Sequence, residues 1–163
     1  MTLIVEDGTG IANADSYVGL VDGETYWAAH GSPAAWTVLT DPQKESALRY
    51  ATRWIENAPY VWHGVIKTYT QSLRWPRLDV YDADGRDVAE LPSILKDAVC
   101  ELALEHVANP INTPDETAIS TVSAGSVSVT YAQGAEKTHT HAYVDGLLRP
   151  LYSYSANAVR TVR

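Results

Sequence analysis

The chain contains no phenylalanine, one cysteine and one methionine, and its 12 Lys and Arg are outnumbered by 20 Asp and Glu. Each shortage excludes something. A lone cysteine, Cys100, rules out a disulfide framework and a cysteine-rich zinc site, and at the edge of an apolar helix face it reads as a small core residue. The net charge of -8 and pI near 4.9 argue against a protein whose main task is to hold nucleic acid by neutralising phosphates, because that needs clustered Lys and Arg. No apolar run approaches a membrane span, and the first residues lack the basic start and apolar stretch of a signal peptide. The expectation is a chain made in the cytoplasm with no membrane partner. In place of Phe stand ten Tyr and five Trp, aromatics with a polar handle that suit partly buried or shared surfaces.

What is present organises itself around residues 91–110, LPSILKDAVCELALEHVANP. Wound as a helix, Ile94, Leu95, Ala98, Val99, Leu102, Ala103, His106 and Val107 fill an apolar arc of about 200°. An arc that wide is covered from two sides, which predicts a central helix over about 92–109, with Pro92 in its first turn and Asn109-Pro110 as its stop. The remaining strip carries Asp97, Glu101 and Glu105. Like charges four apart repel, so this strip is expected to face water or a basic partner.

With 163 residues the chain is read as one helical domain over 1–148 followed by a basic tail over 149–163. Met1 to Asn13 breaks at Gly8 and Gly10 and reads as an extended N-terminal arm. Residues 19–30 suggest a first helix that Gly23 weakens and Gly31 ends. Thr40-Asp41-Pro42-Gln43 has the capping-box arrangement and opens a second helix to about Asn57. Its buried stripe is Ala47, Leu48, Ala51, Trp54, Ile55 and Ala58. Its outer face carries Lys44, Glu45, Arg49, Arg53 and Glu56, where Arg49 and Arg53 are candidates to pair with the acidic strip. Residues 60–77 are aromatic-rich, and Pro76 turns the chain out of any helix. Asp82, Asp84 and Gly85 form a turn. Aligned as a calcium loop, its first and twelfth positions would be Val80 and Leu91, which supply no side-chain oxygen. Apolar and hydroxyl residues alternate over about 118–131, which predicts a β-hairpin too weak to stand alone. Residues 144–152 read as a short helix broken by Pro150, and the tail holds three Arg and no acid.

Nothing in the sequence assembles an active site. It has no Gly-rich phosphate loop, nucleophile elbow or helical His pair with metal spacing, so no catalytic residue, cofactor or metal is expected. His139 and His141 share one side of an extended segment without a third ligand. His106 lies on the apolar face, as a core histidine near a helix end does. His30 and His63 are isolated.

The opening LIVEDGTGIANADSYV, the capped LTDPQKESALRYATRWI, the segment QSLRWPR with its following Asp-Gly turn, LPSILKDAVCELALEHVA and VSVTYAQGA resemble the small phage proteins labelled DnaT-like single-stranded-DNA-binding. Those are similar to the head-tail adaptors, or connectors, of tailed phages. The resemblance implies a mainly α fold: a small helical bundle around the central helix, a projecting hairpin and extended arms at both ends. It implies assembly as a ring of twelve copies in the virion, between a portal protein and a tail-side connector, stopper or tail terminator. Genomic double-stranded DNA would pass through the channel without sequence-specific contact.

Two readings follow. In the first the protein is such an adaptor, with Tyr152, Tyr154, Arg160 and Arg163 meeting the portal. The strip Asp97, Glu101 and Glu105 would then face the lumen or a neighbour, and Arg49 and Arg53 would act between subunits; an acidic wall suits a DNA conduit because it repels phosphate. In the second it is a single-stranded-DNA-binding module, with Trp62, Lys67, Tyr69, Arg74, Trp75 and Arg77 supplying stacking and phosphate contacts.

Overall fold

The structure, a computed structural model, describes residues 2–109 and 141–154, apart from the Tyr154 side chain, together with the backbone of 121–124 and 127–130. Its axis is the helix Ser93–Ala108, labelled α4, which packs against α1 (Leu20–Ala29), α2 (Ala34–Thr37), α3 (Asp41–Asn57) and α5 (Ala142–Leu148). Leu95, Ala98, Val99, Leu102 and Ala103 are completely shielded from solvent. Each buried Leu or Val of this row contributes about 1.5–3 kcal/mol relative to exposure, so the wide apolar arc is what holds four helices to one. Pro92 occupies the N-cap position rather than the first turn, and the helix ends with the Asn109 N–H donating to the Glu105 carbonyl at 2.7 Å.

Helix α3 begins as its sequence predicts. The Gln43 side-chain oxygen accepts from both the Thr40 backbone N–H and the Thr40 hydroxyl at 2.9 Å, which satisfies a donor the helix itself leaves open. Its expected stripe is buried, with Trp54 half-buried. Lys44, expected on the outer face, is instead buried: its ammonium pairs with Glu24 of α1 and lies 5.8 Å from the centre of the Trp36 ring. A flexible stem and two compensating partners let a cation sit there. Trp36, fully buried, belongs to α2, a single turn.

The strands are short. β1 (Tyr60–Trp62) pairs antiparallel with β6 (Tyr152–Tyr154), β2 (Val65–Ile66) with β3 (Arg77–Leu78), and β4 (Thr121–Ala124) with β5 (Val127–Thr130). The last pair is the expected hairpin, with Thr121 opposite Thr130 and Ala124 opposite Val127.

Two expected arms are built differently. The N-terminal segment folds back on the body around Glu6, which is fully buried. Its carboxylate accepts the backbone N–H groups of Gly8 and Gly10 at 2.9 Å and of Ile11 at 2.8 Å. Gly8 and Gly10 adopt φ of +95° and +87°, which lets the chain curl around one carboxylate. Lys67 donates to the Gly8 carbonyl at 2.8 Å, and the Ser72 hydroxyl donates to the Ala14 carbonyl at 2.6 Å. At the other end, a 3-10 turn (Arg149–Leu151) follows α5, Leu151 is fully buried, and β6 docks on β1. The boundary expected at 148/149 therefore does not separate body from tail: residues 149–153 are part of the packed unit.

Replacing Glu6 by Ala removes three charge-assisted bonds and leaves their N–H groups without an acceptor, so E6A should lower the unfolding free energy by about 2–4 kcal/mol. Urea denaturation measures this, and a loss below about 1 kcal/mol contradicts the assignment.

Candidate functional site

Within the aromatic and basic stretch 60–77 the rings of Tyr60, Trp62 and Trp75 are buried, while Val61, Val65, Ile66 and Tyr69 are exposed. Trp75 is fully buried and Trp62 nearly so, their rings meeting edge-on at 5.8 Å. Around them, Tyr60 stands edge-on to Trp62 at 5.2 Å and Tyr152 lies 4.1 Å from Tyr60. The chain there is fixed by a buried node. The Tyr17 hydroxyl donates to the Glu56 carboxylate and accepts the Trp75 backbone N–H at 3.1 Å, while the Arg74 backbone N–H donates to the other Glu56 oxygen at 3.0 Å. Burial raises the Glu56 carboxyl above its usual range, and burial together with Glu56 holds the Tyr17 phenol well above its own.

The basic members divide. Lys67 pairs with Glu90. Arg77 donates from Nε to the His63 carbonyl at 2.6 Å and from one terminal nitrogen to the Gly64 carbonyl at 2.7 Å. Burial, and then the neighbouring Arg74, depress its pKa. Gly64 is required where Arg77 grips it: its φ is +68°, and a Cβ would fall 2.2 Å from the Leu78 carbonyl oxygen. Of the six expected residues, Tyr69, 98% exposed, and Arg74 are exposed, and Lys67 and Arg77 are half-buried. The expected set of Trp62, Lys67, Tyr69, Arg74, Trp75 and Arg77 is thus one neighbourhood but not one surface. Stacking on Trp62 or Trp75 requires opening the core, so that part of the expectation is corrected.

The acidic strip of α4 is also used within the chain. Glu101 accepts the Tyr26 hydroxyl of α1 at 2.7 Å, and Glu105 meets Nδ1 of His141, at the start of α5, at 2.6 Å. His141 is buried and its ring stands edge-on to Trp54 at 4.8 Å. Asp97 is half-buried, and burial, then Glu101, raises its pKa against the opposing influence of His30. The strip is a row of docking points for flanking helices, not a bare repulsive face. Its solvent side stays open, with the Glu105 side chain 46% exposed. Arg49 donates from Nε to Asp15 at 2.8 Å, which joins α3 to the N-terminal segment, and Arg53 is exposed.

Of the expected portal-facing residues, Tyr152 is buried against Tyr60 and its hydroxyl donates to the Asp145 carbonyl at 3.4 Å. A contact with another protein through its ring is corrected accordingly. The Tyr154 side chain, Arg160 and Arg163 lie outside the described residues, as do His139 and the bend of the hairpin. His106 stacks on Tyr50 at 4.5 Å, and burial lowers its pKa. In the turn 82–86, the Asp82 carboxylate accepts the Asp84 and Arg86 backbone N–H groups at 2.9 Å and pairs with the Arg86 guanidinium.

A family model described as "Putative DnaT-like ssDNA binding protein" matches residues 1–163. The chain belongs to that DnaT-like family. No curated protein and no solved structure matches it. Within this family member, the residues sequence reasoning missed are those that hold the site region together: Glu6, Tyr17, Glu56 and the Glu105–His141 pair. The Glu-Asp-Gly-Thr-Gly run was a usable signal for the first, since two glycines close behind an acid permit a wrapped loop. The others are pairs distant in sequence and left none.

Two outcomes follow. Burial, then Asp97 and Glu101, push the Cys100 thiol up to about 12, so native protein should resist alkylation at pH 8 and react fully once denatured; rapid native labelling contradicts this packing. Because Glu56 titrates higher folded than unfolded, it favours folding below its ordinary value of 4.5, and that contribution is lost as pH rises through the raised value. Over this range E56Q should flatten the fall in stability seen by denaturation at successive pH; an unchanged slope contradicts the buried node.

Proposed function

We propose that the protein is a head-tail adaptor subunit: a structural virion protein, made in the bacterial cytoplasm, that forms a ring of twelve between portal and tail-side connector and passes genomic double-stranded DNA. The observation that carries this reading is that Trp62 and Trp75 are buried in the core while the half-buried Lys67 and Arg77 are engaged within the chain, which leaves an acidic chain without a built strand-binding platform among the described residues. An acidic wall repels phosphate and lets a duplex slide. The hairpin β4–β5 supports the same reading, because it pairs only with itself among the described strands, and a two-stranded ribbon gains stability by leaning on a neighbour. In the ring, Asp97 and the open sides of Glu101 and Glu105 face the lumen or an adjacent subunit, Arg53 acts between subunits, and Arg160 and Arg163 meet acidic groups of the portal.

The family description favours a second reading, single-stranded-DNA binding. It rests on the exposed Tyr69 and Arg74, with Arg53 as a further cation.

Native mass spectrometry of the full chain separates them, alone, with portal, and with an oligonucleotide. Addition to portal in one fixed high stoichiometry, without bound oligonucleotide, is expected. Uptake of oligonucleotide with indifference to portal overturns the adaptor reading.

A further inference from the structure

An open cleft of about 460 Å³ lies between the C-terminal half of α4 and the start of α5, lined mainly by Leu104, Ala108, Tyr143 and Val144 with the carboxylates of Glu101 and Glu105. We propose that it is the docking groove for the last nine residues of the same chain, 155–163. The groove offers apolar side walls, two carboxylates and the negative end of the α4 dipole. Residues 155–163, SANAVRTVR, offer the complement: Val159 and Val162 for the walls, Arg160 and Arg163 for the charge, and no acidic side chain to oppose it.

The described chain ends within reach of this groove. Tyr154 closes β6 directly opposite Tyr60. The Tyr60 hydroxyl donates to the Asp145 carboxylate, and the Asp145 N–H donates to the His141 carbonyl at 2.8 Å. The exit point is therefore linked to the groove through the Tyr60 side chain and one turn of α5, and nine residues span up to about 30 Å when extended. Glu105 keeps lone pairs for a second donor while holding His141, since a carboxylate accepts several hydrogen bonds and this one is 46% exposed. A tethered segment needs little intrinsic affinity, because attachment sets its local concentration near the millimolar range. The contact stands whether or not the ring reading does. If both hold, the tail must leave its own subunit before it can reach a portal.

The test uses the full chain with a nitroxide attached through T161C, Cys100 being too buried to compete. Backbone amide signals of Leu104, Glu105, Ala108 and Tyr143 should lose most of their intensity, and recover it when the nitroxide is reduced. The loss should persist when the labelled protein is diluted with an excess of unlabelled chain. It should vanish in R160E/R163E, which leaves the folded body untouched, and in A108R, which fills the groove. No loss at these amides, a loss that dilution removes and so belongs to a second copy, or a loss that survives R160E/R163E each overturns the proposal.

Discussion

The fold depends on a buried hydroxyl and the carboxylate it holds, which together make three hydrogen bonds. Tyr17 donates to Glu56 and accepts from the Trp75 backbone, while Glu56 also takes the Arg74 N–H. These contacts join the segment before α1, the end of α3 and the loop leading into β3, three stretches with no helical reason to meet. A buried carboxylate without partners costs several kcal/mol, and a satisfied one fixes geometry. Its consequence is that Trp75, with Trp62 against it, is a core residue.

The same economy governs α4. Its apolar arc gathers the bundle, and the charged strip that remains is not idle: Glu101 holds α1 through Tyr26, and Glu105 holds the start of α5 through His141. Carboxylates spaced four apart repel by a few tenths of a kcal/mol per pair, a cost smaller than one satisfied charge-assisted hydrogen bond. The strip that looked like a partner-binding face is therefore first a seam, with only its outer edge left for anything else.

Local features were legible in the sequence and long-range ones were not. Periodicity located α4 and α3, Thr40 and Gln43 marked a helix start, and alternation marked β4–β5, because each is written within a few residues. The docking of β6 on β1 depends on Tyr60 and Tyr152 meeting across more than half the chain, which no local pattern encodes, so 149–153 looked like tail. Lys44 looked like surface because a cation normally is; only the combination of Glu24 and Trp36 makes it core. For the candidate site, composition singled out the stretch 60–77 but not its orientation, since Trp beside Arg reads alike whether it faces a base or a core.

That orientation decides whether Trp62 and Trp75 can meet bases, and intrinsic tryptophan fluorescence tests it directly. Titrating the native protein with oligothymidylate at low salt should leave the emission of its buried indoles unshifted and unquenched. Saturable quenching, abolished when Trp62 or Trp75 is replaced by Phe in a protein that remains folded, would contradict the account and place those rings against bases.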